Sequence, residues 1–321
     1  MTIETQTKSP VQTRPKTAIN LGGLAMKNPV TVASGTFGYG QEYSRYFDIG
    51  RLGAVTTKSL SLKPRAGNKP PRLVETPAGM LNAIGLQNVG IEAYLAEKAP
   101  FLRKHGATII GNIYGYSPEE YAELARRLEI EGAADAIEAN LSCPNVHDAK
   151  NAKGAVLVSQ SADAIMLYTK AIRSATQLPL YIKLTPNVAD IREPALAAQE
   201  AGADGVCLIN TLLGLAIDAE SRRPKLSNIV GGLSGPAIRP IAVKMVWDAA
   251  RVLRIPIIGT GGICYAEDAI EFLLAGATAV SVGSMTFRQP DAPVRVLEGI
   301  EEYLNRHGIE DVNELIGAVV V

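Results

Sequence analysis

Histidine and cysteine are scarce, charge of neither sign is in excess, and no long apolar run occurs. The 321 residues hold three His and three Cys. His105, His147 and His307 are too scattered to form a metal cluster, so no metal is expected on this chain. Cys143, Cys207 and Cys264 make no C-x-x-C pair, and their spacings suit neither a zinc site nor a disulfide framework. Reduced thiols in a cytoplasmic protein are the simplest expectation. Lys plus Arg and Asp plus Glu both number 32, for a formal net charge of zero. That argues against nucleic acid as a main partner, because phosphate binding needs a basic excess. No stretch approaches the roughly 18 apolar residues of a spanning helix, so no membrane association is expected. Residues 1–18 are polar, with Thr, Lys, Gln and Pro and no apolar core. They read as a disordered tail rather than a secretory signal, leaving 19–321 as one domain.

What is present is a repeated alternation. Short apolar runs at 29–33, 53–57, 107–111, 133–137, 180–182, 204–209, 255–258 and 278–282 read as strands. Helices are expected between and after them, at about 42–48, 89–105, 117–131, 159–176, 190–201, 236–253, 266–275 and 292–307. The start at Ser117-Pro118-Glu119-Glu120 is strong, with a capping Ser, Pro at the first helical position and Glu at the third. Near-continuous apolar strands belong to a parallel sheet covered on both faces. Eight such units predict a single (β/α)8 TIM barrel, an α/β fold, with long loops at the carboxyl face of its strands. A doubly wound open sheet fits less well, since no G-x-G-x-x-G follows the first strand. Two long loops interrupt the alternation. The first, about 60–87, is expected to be an irregular lid or binding loop; the second covers about 212–235.

The strands end in Ser34, Lys58, Asn112, Asn140 with Cys143, Lys183, Asn210 with Thr211, Gly261-Gly262 and Gly283-Ser284. In a barrel all of these converge on the face that carries active sites. The glycines after the last two strands suit a phosphate site built from backbone N–H groups. Cys143 follows an apolar strand that Pro144 terminates, which leaves the thiol in a loop among amides. No His or carboxylate accompanies it except His147, in a polar loop that reads as solvated. Such a thiol can be a nucleophile or a general base, and the residues alone do not choose.

Four segments carry a resemblance: Thr57-Lys58-Ser59, Asn82 to Asn88 (Asn-Ala-Ile-Gly-Leu-Gln-Asn), Asn140 to Asn145 (Asn-Leu-Ser-Cys-Pro-Asn), and Gly231 to Ile238 (Gly-Gly-Leu-Ser-Gly-Pro-Ala-Ile). Over about 19–318 the chain closely resembles class 1 dihydroorotate dehydrogenases, the flavin enzymes that make orotate in pyrimidine (UMP) synthesis. Asn210-Thr211-Leu212 through Ile217-Asp218, then Arg223-Pro224, looks like the 1B subclass. The resemblance implies FMN on this chain. It also implies a homodimeric core joined, as a heterotetramer, to a second subunit carrying FAD and a [2Fe-2S] cluster that passes electrons to NAD.

By the same resemblance, Cys143 is the base that takes the C5 proton of dihydroorotate, and Lys58 touches both FMN and the substrate carboxylate. Asn82, Asn140, Asn210 and Thr211 would bond the pyrimidine, with Ala83, Ile84, Gly85 and Leu86 beside it. Lys183 would sit at the flavin N1–O2 edge. Ser34, Ser59, Asn112, Asn140, Ile209 and Gly235 would line FMN, with Gly261, Gly262, Gly283 and Ser284 near its phosphate. Two features depart from the 1B pattern: Tyr114 after the third strand, and a long polar loop at 147–153. The alternatives are a fumarate-using 1A enzyme, a dehydrogenase of a related dihydropyrimidine, and a flavin-binding scaffold without activity.

Overall fold

A computed structural model describes residues 15–142 and 158–321. Cys143, His147 and the polar loop at 147–153 lie outside the described residues. Eight parallel strands form the centre: β1 (Val30–Val32), β2 (Val55–Thr56), β3 (Ile109–Ile113), β4 (Ala136–Asn140), β5 (Leu180–Lys183), β6 (Gly205–Leu208), β7 (Ile257–Thr260) and β8 (Ala279–Val282). Every residue in them is buried, which is why they read as unbroken apolar runs. From β2 to β8 each strand pairs with the next, and β8 returns to β1 through Val280 opposite Val30. The β1–β2 seam closes through Gly53 N–H to the Val30 carbonyl (2.9 Å) and the Thr31 and Thr56 hydroxyls, 3.1 Å apart. This is the expected TIM barrel.

Helices wrap the outside at Pro118–Ile130, Ala162–Ala175, Arg192–Glu200, Arg239–Ala250, Ala266–Leu274 and Ala292–His307. The Ser117 hydroxyl caps the first of these by accepting from the Glu120 N–H. The helix expected at 89–105 is broken into Gly90–Ala93, a π-turn at Tyr94–Lys98, and Ala99–Lys104. Pro100 has no N–H for the regular ladder, and the Ala99 N–H reaches back five residues to Tyr94 instead. The short helix expected at 42–48 is two 3₁₀ turns, Tyr43–Arg45 and Ile49–Arg51, the second capped by Asp48.

A hairpin of Ile19–Leu21 and Leu24–Met26 covers the amino-terminal mouth, where the buried Tyr181 hydroxyl donates to the Leu21 carbonyl (2.7 Å). Lys16 is already tied down: its N–H meets the Glu310 carbonyl at 2.8 Å, and its own carbonyl accepts from Val312.

The first long loop differs from expectation. Leu73–Thr76 and Gly79–Asn82 form a hairpin, and Gly79–Asn82 pairs with Val230–Ser234, which pairs in turn with Leu212–Leu215. The two interruptions therefore build one four-stranded antiparallel sheet over the carboxyl face, with a small core of Leu81, Ala83 and Leu226.

Candidate active site

The barrel opens at its carboxyl face into a pocket of about 360 Å³. One wall comes from the β1 and β2 ends, with Ser34, Lys58 and Ser59. The floor carries Asn140 and Lys183, the last residues of β4 and β5. The far wall holds Ile209, Asn210 and Thr211 after β6, then Gly261, Gly262, Gly283 and Ser284 after β7 and β8. The antiparallel sheet roofs it with Asn82, Ile84, Gly85, Leu86 and Gly235. Two residues expected in the site do not line it. Ala83 is fully buried beneath the roof, and Asn112 lies under the floor.

Two of the pocket amides, Asn140 and Asn210, share one network. The Asn210 amide donates to the Ser142 hydroxyl (2.7 Å) and to Asn140 Oδ1 (3.4 Å). Ser142 Oγ donates to the same Asn140 oxygen (3.1 Å), and Asn140 Nδ2 reaches Ser59 Oγ (3.3 Å). Thr211 N–H bonds Asn210 Oδ1 (2.9 Å), and Asn82 Nδ2 bonds the Gly232 carbonyl across the roof (3.3 Å). These bonds fix donors and acceptors at the pocket surface before any ligand arrives. They also anchor Ser142, the residue immediately before Cys143.

Charge is one-sided. Lys58, Arg72 and Lys183 line the pocket, and none of the described lining residues is Asp or Glu. Burial holds the Lys58 ammonium below the usual lysine range, and nearby Arg72 adds to the effect. Three cations and no carboxylate among the described lining residues suit an anionic ligand.

The turn after β7 runs through Gly261 and Gly262 at φ +128° and +78°, which side chains rarely adopt. Gly235 (φ +102°) and Gly283 each stand at the start of a helical turn with no side-chain cap. Glycine turns of this kind at a pocket edge suit a phosphate.

Sequence reasoning missed several pocket residues, among them Thr36, Arg72, Met80, Gln87 and Phe287. Most belong to the roof or to loops, where no strand end marks them. Arg72 donates to the carbonyls of Asn68 (3.2 Å) and Ala66 (3.4 Å), which hold it at the mouth. Glu138 was also missed, although an acid inside an apolar strand, two residues before Asn140 and so on the same face, was a readable signal. Tyr114 packs behind the site, edge-on to Tyr116 and Tyr121.

The family model for Dihydroorotate dehydrogenase matches residues 16–304. The chain belongs to the dihydroorotate dehydrogenase family. It is 53% identical over 306 residues to "Dihydroorotate dehydrogenase B (NAD(+)), catalytic subunit" of Trichlorobacter lovleyi, covering 95% of this chain and 99% of that one. The protein of the same name from Thermoanaerobacter sp. is 48% identical over 303 residues, covering 94% and 98%. Among solved structures, the dihydroorotate dehydrogenase of Eimeria tenella in complex with ferulenol superposes with a TM-score of 0.77 at 26% identity, covering 94% of this chain and 88% of that one. Among the described residues, no helix of this family member is long and apolar enough to cross a membrane.

Proposed function

We propose that this chain is the catalytic subunit of a 1B-type dihydroorotate dehydrogenase, binding FMN and oxidising (S)-dihydroorotate to orotate. The observation that carries the reading is the one-sided charge of the described pocket lining beside the linked Asn140 and Asn210 amides. FMN brings a phosphate and the substrate brings a carboxylate, and both need cations or N–H groups.

The residues fit such a cofactor. The glycine turns after β7 and β8, with Gly235, form the phosphate cradle. Gly35 (φ +91°) has nothing within 4 Å of where a Cβ would stand, which leaves room for a ring beside Ser34.

Oxidation removes a proton from C5 and a hydride from C6, and a C5=C6 double bond forms. Bound FMN supplies the acceptor for the hydride. Cys143 takes the proton as a thiolate, and the Asn210–Ser142–Asn140 network holds the chain leading to it. Lys58 pairs with the substrate carboxylate, while Asn82, Asn140, Asn210 and Thr211 donate to and accept from the pyrimidine amides. Lys183 supplies positive charge where the reduced ring gains electrons. The relatives are named as NAD(+) enzymes and as catalytic subunits. Those names support NAD as the final acceptor and a partner subunit; in the proposed reading that partner carries FAD and a [2Fe-2S] cluster, in a cytoplasmic complex.

The test is anaerobic. The purified chain is expected to show flavin bands that bleach on addition of dihydroorotate and return with the partner subunit and NAD. A yellow protein that ignores dihydroorotate but responds to dihydrouracil would overturn the substrate, and bleaching reversed efficiently by fumarate alone would favour the 1A mode.

A further inference from the structure

The barrel interior holds a buried charged group beneath the pocket floor. Glu138 is 2% exposed, sits in the middle of β4, and does not line the pocket. Its Oε1 accepts from Asn112 Nδ2 at 2.5 Å and stands 3.9 Å from Lys183 Nζ. The Lys183 ammonium bonds upward to Ser34 Oγ (3.2 Å), a pocket-lining hydroxyl. The Cys207 thiol is also fully buried, and burial together with the Glu138 charge pushes it well above its usual range. Lys183 is thus held between a carboxylate below and a hydroxyl above, with its remaining donor capacity toward the pocket. A carboxylate in such a place is costly unless its neighbours compensate it, and apolar packing would fill the barrel at lower cost. Something other than stability accounts for it.

We propose that Glu138 is a positioning residue that sets the electron affinity of the flavin by holding Lys183 in place and offsetting part of its charge. This rests on the reading that FMN occupies the pocket with Lys183 beside its electron-accepting ring. A lone cation there would favour the reduced, negatively charged ring; a carboxylate on the cation's other side weakens that preference. Glu138 then poises the flavin low enough to hand its electrons onward.

The test compares flavin midpoint potentials, measured anaerobically against a reference dye on the full flavin-loaded chain. Glu138→Gln keeps the shape and the bond from Asn112 but removes the charge. Its potential is expected to rise, by about tenfold or more in the ratio of reduced to oxidised flavin at a fixed poise. The same change made in a Lys183→Met background is expected to do little, since the effect runs through Lys183. Glu138→Asp, one methylene shorter, provides a second reading if the Gln variant does not fold, with a smaller rise expected. An unmoved potential in a folded Gln or Asp variant would overturn the proposal, as would an equal shift with and without Lys183. A wild-type chain that binds no flavin would instead overturn the functional reading. One that binds flavin but ignores dihydroorotate would change the substrate and leave the dye measurement standing.

Discussion

Lys58 stands at the point where stability and function conflict. Its ammonium is mostly buried, and burial lowers its proton affinity in the folded chain. Between that lowered value and about 10.4, the unfolded chain binds the extra proton, so stability rises with pH across this window and is flat below it. In the ligand-free chain, Lys58→Met is therefore expected to raise the urea midpoint at pH 7 and to abolish the rise toward pH 10. The same variant should lose the preference for dihydroorotate over dihydrouracil by roughly 10–100-fold, the worth of a hydrogen bond to a charged group. A variant that kept both the preference and the pH slope would remove Lys58 from carboxylate recognition. Cys143 gives the complementary test. A serine hydroxyl is far harder to ionise than a thiol, so Cys143→Ser is expected to cut the rate of flavin bleaching at pH 7 by about 10²–10⁴-fold while flavin content stays unchanged. Full bleaching speed in that variant would require another base.

At the scale of elements, the roof sheet couples two segments more than 130 residues apart. Gly232 lies against Thr211, and a Cβ there would stand 2.0 Å from Thr211 Oγ1 and 2.7 Å from its Cβ. Both atoms belong to a side chain on the pocket wall, so Gly232→Ala pushes that wall inward. Overpacking of this kind costs about 1–3 kcal/mol. The expected result is a KM for dihydroorotate raised by about tenfold, with flavin binding little changed; an unaltered KM would mean that the roof yields freely. This sheet is also where sequence reading stopped. The barrel strands were legible because each is buried on both faces, and their ends were legible because a polar residue or glycine follows each apolar run. The roof strands are four or five residues long, mix exposed, half-buried and buried positions, and join two hairpins distant in the chain. Leu73 and Arg72 therefore carried no local mark of a pocket. The π-turn at Tyr94–Lys98 was foreshadowed by Pro100, whose effect on the ladder is local. Glu138 could have been found by its parity with Asn140.

For the whole molecule, the decisive question is how electrons leave. Barrel, roof and amino-terminal hairpin together make a chamber closed below, where Tyr181 meets Leu21, and roofed above by a sheet. On the proposed reading, its described lining would be shared between glycine turns for a phosphate, the pocket amides and a lysine for the substrate carboxylate, leaving flavin and substrate to use it between them. A nicotinamide dinucleotide adds two more phosphates and a second pair of rings, and the chain has no glycine fingerprint after its first strand to bind them. Direct reduction of NAD in this chamber would require the dinucleotide to displace the pyrimidine, whereas a partner subunit can draw electrons from the flavin with the pocket filled. The isolated, flavin-loaded chain is therefore expected to reduce a small dye at the expense of dihydroorotate but to turn over NAD at least about a hundredfold more slowly than the same chain with its partner subunit. Stopped-flow absorbance separates the two half-reactions. Equal NAD turnover with and without the partner would place the second nucleotide site on this chain; bleaching that itself required the partner would mean that the pocket is completed only in the assembly.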